Sequence, residues 1–162
     1  MVVLLVAPPE DNFVEIGNAA QGIIGPSQWE PQVNFTPDAA ASAAISFYGP
    51  TSADFIAAYQ SAYHEPPTYH AAGGYTAGLI LQQAIETTGS LDTQVIKSAL
   101  ESMDMLIFFG RIRFDASSAS HGLQIGHSMV YIQWQPGPSA VLQKQVVWPA
   151  EGATAALVYP LR

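Results

Sequence analysis

The longest helical pattern in the chain runs from Tyr69 to Thr88, YHAAGGYTAGLILQQAIETT. Tyr75, Leu79, Gln82/Gln83 and Ile85 trace its faces; Pro66-Pro67 precede it and Gly89 follows. Proline interrupts a helix and glycine readily takes the left-handed conformation that ends one, so both boundaries are set chemically. The flanking patterns are of a different kind. MVVLLVA at the start is continuously apolar and predicts a strand buried on both faces, as in a parallel sheet. IFFGRIRFD, HSMVYIQWQ and AVLQKQVVWP alternate or run apolar and aromatic, which predicts three late strands. A chain that mixes helices and strands in this order is α/β.

The remaining segments fit between these. DNFVEIGNAA predicts a short helix with Phe13 and Ile16 inward, ending near Gly17. QGIIGPSQW predicts a second strand, closed by Pro26 and Pro31. Residues 30–50 are rich in Pro, Ala and Ser and read as a connector. In SADFIAAYQSAYHEPP, Phe55, Ile56, Tyr59 and Tyr63 lie at helical spacing, with Ser52 as cap and Pro66 as stop. Asp92 caps a further helix, TQVIKSALESM. QPGPSA is a hairpin-type turn, and the apolar tail ATAALVYP ends at Pro160. There is no internal repeat and no long low-complexity tract.

Length and charge narrow the function classes. The 162 residues make about one domain. Thirteen acids against five Lys and Arg give a net charge of −8, which argues against a nucleic-acid surface or an anionic membrane surface. Charged residues are only 11% of the chain, so part of its surface is expected to be covered by something else. The apolar start is too short for a membrane span and lacks the basic n-region of a signal peptide. A strand entered at residue 1 suggests a segment of something longer.

Motifs for catalysis are missing. Without cysteine there is no disulfide, thiolate nucleophile or Cys-ligated zinc. His64, His70, His121 and His127 form no HExxH and no close i,i+4 pair. No G-x-S-x-G elbow or Walker pattern occurs, and Gly73-Gly74 do not make GxGxxG. Asn34-Phe35-Thr36 fits a glycosylation sequon, a pattern frequent by chance. No enzyme, cofactor or metal is expected.

YHAAGGYTAG-LILQQAIETTGSLD, FFGRIRFD, GHSMVYIQWQ, VVWP and ATAALVYP follow one another in this order. Together they resemble the C-terminal part of the amino-acid/amide solute-binding proteins of ABC transporters, the leucine/isoleucine/valine-binding-like proteins of type I periplasmic fold. QGIIGPSQWEP resembles that family's segment before the second hinge crossing. The resemblance covers essentially the whole chain and implies the later portion of a two-lobed clamshell, with mixed, mostly parallel sheets flanked by helices. It implies that residues 1–31 and 128–162 belong to lobe 2 and residues 32–127 to lobe 1. It further implies a small amino acid, amide or aromatic or branched carboxylate as ligand, and a membrane permease as partner. A periplasmic or lipid-anchored location goes with these. In such a protein only a ligand that prefers the closed state shifts the hinge equilibrium. The alternatives are a ligand-sensing or interaction module of the same fold, and a truncated chain that binds nothing and self-associates through exposed strand edges.

Five residues are candidate ligand contacts. His70 and Tyr69 lie in a helix first turn, where free N–H groups and the positive dipole end favour a carboxylate. The resemblance implies that this end faces the interlobe cleft; otherwise His70 is an exposed helix-start residue and Tyr69 a core aromatic. Glu10, after Pro8-Pro9, sits where ligands of open α/β sheets bind and could pair with a substrate ammonium. Asp11 competes for that role, and a solvated turn acid is the plain alternative. Trp29 is either an aromatic wall or a packing residue near the hinge. Gln28 beside it could hydrogen-bond a ligand. Trp134 and Trp148 read as packing residues.

Overall fold

The computed structural model describes residues 2–126 and 129–159. In chain order they form a 3-10 segment Asp11–Ala20, β1 (Ile24–Ser27), α1 (Pro37–Ser42), β2 (Ser46–Phe47), α2 (Ser52–Tyr63), α3 (Tyr69–Thr88), α4 (Thr93–Glu101), β3 (Asp104–Ile107), β4 (Gly110–Arg113), β5 (Val130–Pro136) and β6 (Leu142–Trp148). The chain divides into two units: one is built from residues up to Asn34 and from Met129 onward, the other from the segment that begins at Phe35. No described helix is long and apolar enough to cross a membrane.

The first unit is a three-stranded sheet of order β1-β5-β6, antiparallel throughout. Alternation along β5 separates two faces. Ile132 pairs with Gly25 and Val146, and Trp134 with Lys144, so these five residues share one face. Gln133, paired with Ile24 and Gln145, points to the other face. Val130, Ile132 and Val146 are fully buried. On the Gln133 side the chain's tail is held by side-chain amides. Gln133 Nε2 donates to the carbonyls of Gly22 (3.2 Å) and Val158 (3.1 Å), and its Oε1 accepts from Val158 N (3.0 Å). Gln135 Nε2 adds a bond to Ala156 O at 2.9 Å.

The initial MVVLLVA segment is not the buried strand its composition predicts. It makes a single parallel bridge, Val3 to Ile24. Ile24 N donates to Val2 O and Leu4 N to Ile24 O, after which the ladder stops. The next outward donor on β1 would be residue 26, and Pro26 has no N–H. Leu5 and Val6 are consequently 77% and 78% exposed. Met1 lies outside the described residues, as do His127, Ser128 and Pro160 at the ends of two other predicted segments. Pro26 also falls inside β1 rather than closing it, which an edge strand tolerates. Within Asp11–Ala20 a kink at Gly17 (φ 66°, ψ −140°) breaks the 3-10 segment. Phe13 packs on Trp134, with ring centroids 6.2 Å apart, whereas Ile16, expected inward, stays 52% exposed beside the kink.

The second unit has the sheet order β2-β3-β4, with β2–β3 parallel and β3–β4 antiparallel. Mostly parallel sheets are thus corrected: β3 and β4, like β5 and β6, are joined by turns too short for a parallel crossover. IFFGRIRFD is accordingly a hairpin turn and its second strand, because β3 already begins at Asp104. Helices α3 and α4 cover the sheet, burying Ala84, Met103, Met105, Ile107 and Ile112 with Ile80, Ile96, Ala99 and Leu100 around them. The bounds of α3 match the sequence pattern, with Gly89 in the left-handed conformation at its end. Asp92 Oδ1 caps α4 through the N–H groups of Gln94 (2.9 Å) and Val95 (3.1 Å). The cap of α2 is Thr51 rather than Ser52, because Asp54 three residues on completes a capping box with it. The connector contains α1, started by Thr36 and Pro37.

Candidate functional site

In the first unit the candidates lie on two short backbone stretches. Pro8-Pro9-Glu10 forms a turn closed by Glu10 N donating to Ala7 O at 3.1 Å. Pro8 is fully buried and Glu10 is exposed. Ser27 through Glu30 form the second stretch. Ser27 Oγ donates to Trp29 O at 3.0 Å, which folds the backbone around Gln28 and leaves its side chain exposed. Trp29 is 2% exposed and Glu30 3%. Of the two readings of Trp29, burial fits the packing residue.

Both stretches converge on one ammonium. Lys144 Nζ lies 2.9 Å from Glu30 Oε2 and donates to Pro9 O at 2.8 Å. The carbonyl of Lys144 accepts from Gln32 Nε2 at 3.1 Å. Its cross-strand partner Trp134 donates Nε1–H to Pro8 O at 2.9 Å. Sequence reasoning overlooked Lys144 and Glu30 and treated Trp134 as packing. The available signal was Lys144 itself, one of five Lys and Arg in the chain, set inside a strand pattern.

In the second unit, Tyr69 and His70 open α3. Thr68 Oγ1 caps the helix by accepting from Ala71 N at 3.3 Å. The two rings lie 4.0 Å apart between centroids, with Tyr69 half-buried and His70 exposed. This helix end offers N–H groups, an aromatic face and an imidazole, a set suited to an anion or a small polar ligand and lacking a paired base and nucleophile. The structure therefore groups Glu10 with Gln28 and Trp29 in one unit, and Tyr69 with His70 in the other.

Two shallow depressions also mark the second unit, and neither is lined by any of the five candidates. One, of about 160 Å³, lies between Gln83, Ala84, Met103 and Asp104. The other, of about 350 Å³, is lined by Glu101, Asp104, Arg113, Asp115 and Ile125. Its acids are engaged locally. Hydrogen bonds from Lys97 and His121 hold the Glu101 carboxyl below its ordinary range. Arg111, bonded to Asp104 through Nε and Nη2 at 2.7 and 2.8 Å, does the same to Asp104. Asp115 is lowered by the backbone N–H of Ser117. Among the described residues no group of three or more His, Asp or Glu could hold a metal ion.

Three likenesses to known proteins bear on this arrangement. A family model described as "Periplasmic binding protein" matches residues 9–138. A leucine binding protein from Thermotoga maritima superposes with a TM-score of 0.51 at 21% identity, over 89% of this chain and 36% of that one. A protein assigned to a branched-chain amino acid ABC transporter of Rhodospirillum rubrum superposes with a TM-score of 0.59 at 23% identity, over 90% of this chain and 36% of that one. The chain thus spans little more than a third of the length of either relative.

Proposed function

Because the chain belongs to the periplasmic binding protein family, we propose that it is a portion of the substrate-binding component of an ABC transporter. Its fold is that of type I periplasmic binding proteins, mixed α/β with helices flanking small sheets. The ligand is a small amino acid, amide or related carboxylate, and the protein does not catalyse a reaction on it. The family match over residues 9–138 is the observation that carries this reading. The names of the two solved relatives make leucine and the other branched-chain amino acids the first ligands to try.

In this reading residues 1–31 and 128–162 are the lobe 2 portion and residues 32–127 the lobe 1 portion. Each unit presents its own ligand-facing residues. Glu10 takes the ligand's ammonium and Gln28 its polar groups, with Trp29 packed next to them in sequence. Tyr69 and His70, at a helix start, take its carboxylate. The exposure of Glu10, Gln28 and His70 supports these roles. The whole protein works in the periplasm or anchored outside the cell, and delivers its ligand to a membrane permease.

A thermal-shift screen of the purified chain against leucine, isoleucine, valine, glutamine and aromatic acids tests the proposal. A ligand at a hundred times its Kd stabilises by about 2.7 kcal/mol, a rise of several degrees. His70→Ala and Glu10→Ala should each abolish most of that rise. No rise with any member of the panel would refute binding by this chain. The open apolar stretch of Val2 to Val6 favours a second reading, self-association through a sheet edge. Light scattering would then give a dimer mass together with a flat ligand screen.

A further inference from the structure

We infer that the cross-strand pair Trp134–Lys144 is the positioning device of the ligand-facing turn, holding the backbone of Glu10 in fixed register with that of Gln28 and Trp29. This inference rests on the reading of Glu10 and Gln28 as ligand contacts.

All three strands of the sheet contribute to the device, on one face. Gly25 of β1 gives Pro8 its seat: a Cβ at position 25 would lie 2.6 Å from Pro8 Cβ and 2.8 Å from its Cγ. Trp134 of β5 bonds Pro8 O through its indole N–H and lays its ring against Phe13 beyond the turn. Lys144 of β6 bonds Pro9 O and pairs with Glu30. The turn is thereby gripped before Glu10, at residues 8 and 9, and after it, at residue 13. The same ammonium grips Glu30, two residues beyond Gln28.

Stability alone does not account for a lysine here. Burying an ion pair returns little net energy compared with an apolar pair of the same volume, since both charges lose their water. An apolar residue at 144 would fill the space but could not join two carbonyl-bearing and carboxylate-bearing segments at one point. Three ammonium donors can. Neither proline of the turn can donate a backbone hydrogen bond, so its attachment depends on donors that come from the sheet. Trp134 Nε1 and Lys144 Nζ are those donors.

The test compares the wild-type chain with the double variant Lys144→Met/Glu30→Gln. The pair is changed together so that no lone charge stays buried and the volume is kept. Amide hydrogen exchange at Glu10, whose N–H closes the turn on Ala7 O, and at Phe13, whose N–H bonds Glu10 O, should quicken at least tenfold. Exchange at Ile132, within the sheet, should stay within twofold. Lys144→Arg, which retains a donor and a charge, should restore slow exchange. L-Leucine binding, measured by calorimetry, should weaken at least tenfold in the double variant. Should that variant not fold, Trp134→Phe removes the bond to Pro8 O and part of the ring packed on Phe13, two of the grips on the turn, and is read in the same way.

Unchanged exchange at Glu10 and Phe13 would overturn the inference, as would quicker exchange with undiminished leucine affinity. Quicker exchange in a chain whose wild type ignores L-leucine and the rest of the amino-acid panel would refute the binding reading instead. The anchoring itself would then stand as a purely structural grip.

Discussion

Gln133 is buried to 1% exposure, and replacing it with methionine should loosen the chain's tail. Methionine has nearly the same volume, so the change removes polar atoms and leaves no cavity. Four bonds disappear: to Gly22 O, to Val158 O, from Val158 N and from Gln135 Nε2. At about 0.5–1.5 kcal/mol net for each, the sum is roughly 4 kcal/mol. Methionine recovers part of this by sparing the burial of an amide, so the expected loss is about 2–3 kcal/mol. The tail can swing into water and solvate its own groups, which caps the loss near the energy of docking it. All three tryptophans, at positions 29, 134 and 148, belong to the first unit, so tryptophan fluorescence during urea unfolding follows that unit. Cleavage by chymotrypsin after Leu157 should accelerate at urea concentrations well below the midpoint. Gln135→Met, which forfeits the bonds to Ala156 O and Gln133 Oε1 from a half-buried side chain, should cost about 1–2 kcal/mol. A loss below about 1 kcal/mol for Gln133→Met, with unchanged cleavage, would refute the role given to this side chain.

Three further outcomes are expected. Asp92→Ala, removing the cap of α4, should cost about 1 kcal/mol by urea unfolding followed by circular dichroism, and Asp92→Ser should recover most of it. The Tyr48 phenol, pushed up to about 12 by partial burial and its 2.8 Å bond to Glu86, should titrate late in ultraviolet absorbance. Its folded value exceeds the unfolded 10.0, so this contribution is full below pH 10 and fades as pH rises through 12; Glu86→Gln should bring the titration down. Asp104 behaves in the opposite sense. Arg111 lowers its carboxyl below the ordinary 3.8, so its support is present above that pH and lost as acid carries it through the folded value. The acid limb of the stability profile of the second unit should therefore flatten in Asp104→Asn.

The parts of the fold legible in the sequence were those whose boundaries are chemical. Gly89 ends α3 in the left-handed conformation and Asp92 starts α4, and each was readable from a single residue. Helix α1 carried an equally chemical mark, Thr36-Pro37-Asp38, hidden by the Pro- and Ala-rich composition around it. The MVVLLVA segment misled because apolar composition reports what a segment prefers to touch, not what is present to touch it. Whether it forms a ladder depends on Pro26 twenty-odd residues away, a long-range fact that local pattern does not contain. The candidate site divides in the same manner. Tyr69 and His70 were visible as the first turn of a well-marked helix, whereas the convergence of Pro8, Pro9, Glu30, Trp134 and Lys144 exists only through β-sheet register.

The way the first unit is threaded has a consequence for how it is made. Ile24 pairs with Gln133, a partner 109 residues further along the chain. On a ribosome, β1 emerges early and waits for the whole of the second unit to follow before its neighbour β5 exists. The strands β2, β3 and β4 of the second unit find their partners between residues 46 and 113, and so pair first. Closing a loop of that length costs on the order of 4 kcal/mol in chain entropy if the intervening segment is still unfolded. Prior folding of the second unit lowers that cost by replacing a random coil with an ordered insert. Until then the flank of β1 that β5 will cover stays open, whereas Val2 to Val6 lie on the other flank and remain exposed after β5 has docked.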